Sequence, residues 1–298
     1  MVSEPLRIID VCISTLLPRT INPPVFIIGH WRSGTSFLQD ALAKDSRFHY
    51  LSLYRMIAAQ HFTVSDAWLR PGLNKVVMWL NWGYPLQRTT LNLDYSGEMD
   101  VALTFLGSPY AYTWAHFFPK KFDDIFDELV FNQTNTNWLD DYRFIMRKLQ
   151  RQRPSAQLLI KSPGDTARIN LLIKAFPDAK FIFLTRDKDE TIRSNEYLWE
   201  VIQKNYSYQL IDEGRKHSII ARTYTRLLDH FHQQKNCIPE SQLYTVNLTE
   251  LKNNPVDALE RIYSHFNYGT VPSSVSQFLQ KNAFNKGGAP NPTDLNAS

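Results

Sequence analysis

The sequence predicts a three-layer α/β fold, with helices on both faces of a central, mostly parallel sheet and an aromatic-rich helical or irregular insertion. Two observations carry this. Short apolar runs at residues 25–28, 158–160, 181–184 and 243–246 are solidly hydrophobic rather than alternating, the pattern of strands buried on both faces. Helical periodicity follows them: Phe37, Leu38, Ala41 and Leu42 make one face, Ile169, Leu172, Ile173 and Phe176 another, and Val256, Leu259, Tyr263 and Phe266 a third. Further helices are predicted over residues 138–149 and 219–231. Strand–helix alternation of this kind builds a parallel sheet. Residues 51–135 break the rhythm and hold the insertion, where α/β folds often carry specificity elements.

A chain of 298 residues, 43% hydrophobic and 21% charged, has ordinary globular composition. It reads as one domain over residues 1–298, with a recognisable core at about 24–268. The Gly/Pro/Asn-rich segment at 285–298 is expected to be a flexible tail. No apolar run approaches the roughly 18 residues of a membrane span. Glu4 and Asp10 interrupt the N-terminal apolar stretch and no small-residue cleavage site follows, so no signal peptide is expected. Cys12 and Cys237 make no disulfide framework, which points to a reducing compartment, the cytoplasm. A net charge of +4 is too small for a dedicated nucleic-acid binder, yet it suits a compact anionic ligand.

The first apolar run leads directly into Gly29-His30-Trp31-Arg32-Ser33-Gly34-Thr35-Ser36 and then into a helix. Strand, glycine-containing loop and helix N-terminus together cradle phosphate, because backbone N–H groups and the helix dipole both favour negative charge. Gly29 and Gly34 have the spacing of the ATP-binding loop G-x4-G-K-[ST], but Thr35 stands where its lysine belongs. The cation has moved back to Arg32. Without that lysine, and with no convincing acidic metal ligand, a nucleoside triphosphate is poorly served.

The run P-x-F-I-I-G-H-W-R-S-G-T-S-x-L resembles the 5′-phosphosulfate loop of sulfotransferases that use 3′-phosphoadenosine 5′-phosphosulfate (PAPS), and is most similar to a bacterial group reading G-H-W-R-S-G-T. The resemblance implies a P-loop-like fold and a metal-free site. It also implies that Arg32, Ser33, Gly34, Thr35 and Ser36 hold the 5′-phosphate and bridging oxygen. Members of this family bind the 3′-phosphate through an Arg at a strand end and a Ser eight residues later, and here Arg186 and Ser194 stand at that spacing. Arg offers bidentate hydrogen bonds to phosphate. Lys161, in a similar K-S-P segment at the carboxyl edge of a strand, is implied to neutralise charge on the sulfuryl group and leaving phosphate. Asp165 stands where the family usually has a histidine.

Sulfuryl transfer to an alcohol requires a base. The stretch around Glu98, Met99 and Asp100 resembles a family segment with three acids, the middle one absent here. Glu98 is the leading candidate, Asp100 the second and His30, inside the loop, the third; helix N-termini also favour acids without any catalytic role. The other histidines show no metal-ligand pairing. Aromatics crowd the insertion (Trp68, Trp79, Trp82, Tyr84, Tyr95, Tyr110, Tyr112, Trp114, Phe117, Phe118) and suggest an apolar pocket for a small-molecule hydroxyl acceptor: a sterol, phenol, lipid or sugar alcohol. The expected product is adenosine 3′,5′-bisphosphate. The rival readings are an ATP-dependent small-molecule kinase and a non-catalytic nucleotide-binding sensor.

Overall fold

Side chains alternate across a strand, so an unbroken apolar run must be covered on both sides. In the computed structural model, which describes residues 3–81, 83–84 and 89–282, both sides are covered. Val25 and Ile27 of the first strand pack with Leu38, Leu42, Leu259 and Ile262 on one face. Phe26 and Ile28 pack with Tyr142, Met146, Leu172 and Phe231 on the other.

The strands are β1 (Val25–Gly29), β2 (Phe48–Tyr50), β3 (Gly83–Tyr84), β4 (Thr89–Thr90), β5 (Gln157–Lys161), β6 (Lys180–Thr185) and β7 (Leu243–Asn247). Five of them form a parallel sheet in the order β2-β5-β1-β6-β7, and β3 pairs with β4 in a separate antiparallel hairpin. The chain runs outward to one side of β1 and later to the other, so β1 lies at a switch in strand order. Ligands of open α/β sheets bind at such a point, beyond the carboxyl ends of the strands.

One expectation is corrected. The run 243–246 is a parallel strand but not one buried on both faces: β7 is an edge strand, and only Val246 is fully buried. The helical or irregular insertion holds several short helices, among them Leu53–Ile57, Leu69–Trp79, Met99–Leu106 and Phe122–Phe126. Its aromatics also disperse. Tyr112, Phe122 and Phe126 join Trp31, His116 and Trp199 in a buried cluster, Phe117 and Phe118 stack on Tyr208, and Trp68 and Trp79 face solvent. Trp82 and the segment 285–298 lie outside the described residues. Among those described, no helix is long and apolar enough to cross a membrane.

Candidate active site

Three strand ends meet at the carboxyl edge. β1 ends at Gly29, and its loop runs into the helix Thr35–Leu42. Gly29 (φ +140°) and Gly34 (φ +96°) hold a backbone that side-chain-bearing residues rarely adopt; a Cβ would lie 2.6 Å from the Leu184 carbonyl oxygen at the first and would push on the end of the Leu248 side chain at the second. Arg32 adopts φ +68°, a left-handed conformation that costs a non-glycine residue about 1–2 kcal/mol. Its surroundings hold it there. Arg186 donates to the Arg32 carbonyl oxygen (2.8 Å), and the Ser33 N–H and hydroxyl both donate to the His30 carbonyl oxygen (3.2 and 2.7 Å). Thr35 and Ser33 are buried beneath the loop.

β6 ends at Thr185, and the helix Lys188–Asn205 follows, capped by Asp187 accepting from the Glu190 N–H. Arg186 lies in the turn and pairs with Glu190 at 3.2 Å. Ser194 lies on the helix and accepts a hydrogen bond from Arg32 Nε (3.0 Å). The loop after β1 and the turn after β6 are therefore joined twice, through Arg32 and Arg186. Arg193 points into solvent.

β5 ends at Lys161, only 2% exposed. Its ammonium donates to Ser36 Oγ (3.1 Å) and pairs with Glu98 Oε1 (3.0 Å). Glu98 occupies the N-cap position of the helix Met99–Leu106, where its side chain makes no cap hydrogen bond and turns to Lys161 instead. A buried cation thus bridges the anion loop and a half-buried carboxylate.

The other two base candidates are held elsewhere. Asp100 is buried and accepts from the Tyr112 N–H, the Thr113 N–H and the Thr113 hydroxyl. Burial pushes its carboxyl up to about 6, against the nearby charge of Arg168. His30 is buried against Trp31 and Tyr224, and desolvation lowers it to about 4. Its Nδ1 lies 3.0 Å from the Trp31 carbonyl oxygen. Its Nε2 meets no hydrogen-bond partner among the described residues. Neither residue joins the Ser36–Lys161–Glu98 chain.

Several positioning residues escaped the sequence analysis. The Thr166 hydroxyl accepts from the Gly29 N–H (2.8 Å) and lies 3.1 Å from the Gly29 carbonyl oxygen, tying the segment after β5 to the end of β1. Asn195, beside Ser194, donates to the Trp31 carbonyl oxygen (3.0 Å). Asp40, one helical turn beyond Ser36, accepts from the Ser96 N–H (2.8 Å) and fixes the chain two residues before Glu98. Burial raises the Asp40 carboxyl, and the Lys161 charge opposes that shift. Asp165 is buried, accepts from the Tyr142 hydroxyl and pairs with Arg168 (3.5 Å). Burial pushes it up to about 6 as well. The Arg168 guanidinium also stacks over Trp138 (4.3 Å). This cluster braces the site from beneath. Beside it an open groove of about 520 Å³ is lined by apolar Pro109, Tyr110, Phe118, Ile125 and Leu129 and by polar Lys121, Asp124, Glu128, Asn135 and Asn137.

A parallel sheet whose central strand runs through a glycine-bounded loop into a helix N-terminus, with Arg32, Lys161 and Arg186 gathered at the strand ends, is an arrangement that suits an anionic ligand. The chain belongs to the sulfotransferase family, whose model matches residues 23–271. It is 25% identical, over 252 residues, to the omega-hydroxy-beta-dihydromenaquinone-9 sulfotransferase Stf3 of Mycobacterium bovis, and equally to that of Mycobacterium tuberculosis. The match covers 83% of this chain, which spans 63% of the length of those curated relatives. In fold it is similar to the crystal structures of sulfotransferase STF9 from Mycobacterium avium and STF1 from Mycobacterium tuberculosis H37Rv. Each has a TM-score of 0.72 at 17% identity over 92% of this chain, covering 70% and 75% of the respective structures.

Proposed function

We propose that this protein transfers the sulfuryl group of PAPS to the hydroxyl of a small-molecule acceptor and releases adenosine 3′,5′-bisphosphate. The donor supplies an activated sulfuryl group, whose S–O bond to the 5′-phosphate breaks as the acceptor oxygen bonds to sulfur. The residues present fit such a donor, since the loop after β1 opens onto a helix N-terminus that no side chain caps, and Arg32, Lys161 and Arg186 supply the countercharge. The loop N–H groups with Arg32, Ser33, Thr35 and Ser36 hold the 5′-phosphate; Arg186 and Ser194 hold the 3′-phosphate. Glu98 takes the acceptor's hydroxyl proton. Lys161 and Arg32 hold the negative charge that collects on the leaving phosphate. No metal enters this assignment.

One observation carries the reading: Lys161 touches the anion loop through Ser36 and the carboxylate of Glu98 at the same time. On this reading the Lys161 ammonium lies between the leaving phosphate that gains charge and the Glu98 carboxylate that gains the proton. The acceptor to try first is a lipophilic alcohol, with the hydroxylated dihydromenaquinone of the relatives' name at the head of a panel of sterols, phenols and sugars. The cytoplasm is the proposed setting, supported by the free, exposed thiols of Cys12 and Cys237.

Separate titrations with adenosine 3′,5′-bisphosphate and ATP–Mg²⁺, followed by thermal unfolding, test the donor assignment, because a ligand that binds only the folded state raises stability with its affinity. Stabilisation by the bisphosphate is expected. Stabilisation by ATP–Mg²⁺ alone would sink the proposal and leave the kinase reading.

A further inference from the structure

The helix Leu69–Trp79 is built inside out. Its polar residues face the protein: Arg70 pairs with Asp66 and Asp94, and Asn74 donates to Asp94 (3.0 Å) and accepts from the Leu93 N–H (2.8 Å). Leu69 and Val77 rest partly buried against the core, but the other apolar residues face outward. Trp68, Leu73, Val76, Met78, Trp79 and Leu80 are all exposed, Trp79 to 82%, and none of the helix is fully buried. A surface helix in water shows the reverse arrangement. The neighbouring helix Ser3–Ser14, tied to the short helix Phe62–Ser65 through Asp10 and the Thr63 N–H (3.0 Å), adds exposed Ile8, Val11 and Leu16.

Charge says what covers this face. From Ala67 to Leu93 the chain has no acidic residue, and Lys75 stands exposed on the helix beside Val76 and Trp79. Tryptophan beside cations and aliphatic side chains is the composition that settles at a bilayer interface, where the rings lie at headgroup depth and the cations meet anionic lipids. A second copy of the chain is a poor occupant, because it would bring Lys75 towards Lys75 with no acid in the stretch to separate them.

We propose that the outer face of the helix Leu69–Trp79 docks this protein on the surface of an anionic lipid bilayer. The helix does not span the bilayer; it lies on it. The anchor Asp94 stands four residues before Glu98, so a docked helix sets the carboxylate segment close to the lipid surface. The docking stands on the exposed face alone and does not depend on the donor chemistry.

Co-sedimentation of the full chain with vesicles tests it, using phosphatidylcholine alone and phosphatidylcholine mixed with phosphatidylglycerol. The protein is expected to pellet with the mixed vesicles and far less with the neutral ones. The paired substitution Val76→Glu/Trp79→Glu should lower binding at least about tenfold with the unfolding midpoint unchanged, since both positions are exposed. Lys75→Glu should weaken binding to the anionic vesicles only. The proposal is overturned if the wild type stays in solution with both compositions, or if the paired variant pellets like the wild type. A concentration-dependent dimer that the paired variant abolishes, with no vesicle binding, would assign the face to a second copy instead.

Discussion

Removing either partner of the Lys161–Glu98 pair should not cost the same. Lys161 is 2% exposed, whereas the Glu98 side chain is 27% exposed. Glu98→Gln leaves a buried ammonium with Ser36 Oγ and a neutral amide for company. Stripping the partner from a fully buried charge costs about 3–5 kcal/mol, and the amide oxygen still accepts one hydrogen bond, so a loss of about 2 kcal/mol is expected. Lys161→Met leaves a carboxylate that water can reach, and should cost about 1 kcal/mol or less. The double variant should then match Lys161→Met, giving a coupling of about 2 kcal/mol, the full cost of Glu98→Gln. Urea unfolding reads these differences as midpoint shifts at constant slope. Turnover gives the second axis: Glu98→Gln should lose about 10²–10⁴-fold, and the double variant should recover stability without recovering rate. Equal destabilisation by the two single variants, or full turnover in Glu98→Gln, would refute the reasoning.

Arg186→Ala should weaken adenosine 3′,5′-bisphosphate by about 10- to 100-fold and adenosine 5′-phosphosulfate by only a few-fold, the shared part reflecting the lost bond to the Arg32 carbonyl; calorimetry with both ligands decides, and equal losses contradict the 3′-phosphate assignment. Gly34→Ala should abolish bisphosphate binding, because the left-handed backbone and the Leu248 contact both resist a methyl group; binding at wild-type affinity would show that the loop tolerates one. Burial lowers His30, His49 and His116 to about 4 each, below their ordinary value. They therefore contribute stability above pH 6.5 that is lost as pH falls towards 4. Asp100 and Asp165, raised to about 6, act in the opposite sense and favour the fold as pH falls from 6 towards 4. His116→Asn should flatten the acid limb of a stability–pH curve and Asp100→Asn should steepen it; an unchanged limb in both would reject these assignments.

The central strands were legible because runs such as Val25–Phe26–Ile27–Ile28 need cover on both sides, a demand that few other structures meet. The edges were not. Phe48–Tyr50 is a three-residue strand with no pattern to speak of, and β7 owes its place to pairing with β6 rather than to burial. The helix Lys188–Asn205 buries Thr191 and Asn195 beside Trp199 and Val201, so its inner face is half polar and shows weak periodicity. In the site, Arg32, Ser36, Lys161 and Arg186 stand at or just beyond strand ends, and short motifs resembling those of the family singled them out. Asp40, Thr166 and Asn195 act through hydrogen bonds that join residues far apart in sequence, as Thr166 reaches Gly29 across 137 positions. No local pattern announces such a bond. The aromatic crowding did not show how its members divide: a dense stretch in sequence can split among a core cluster, a surface stack, an exposed helix face and the groove that Tyr110 and Phe118 line.

Arg32 is gripped at both ends, its carbonyl by Arg186 and its side chain by Ser194. The loop after β1 and the turn after β6 are thereby coupled to each other. Under the proposed donor assignment they act as a fixed-gauge caliper, set to one separation between two phosphates before any ligand arrives. A nucleotide with a single phosphate forfeits more than one contact: it leaves one jaw empty, and the other jaw is braced against that vacancy.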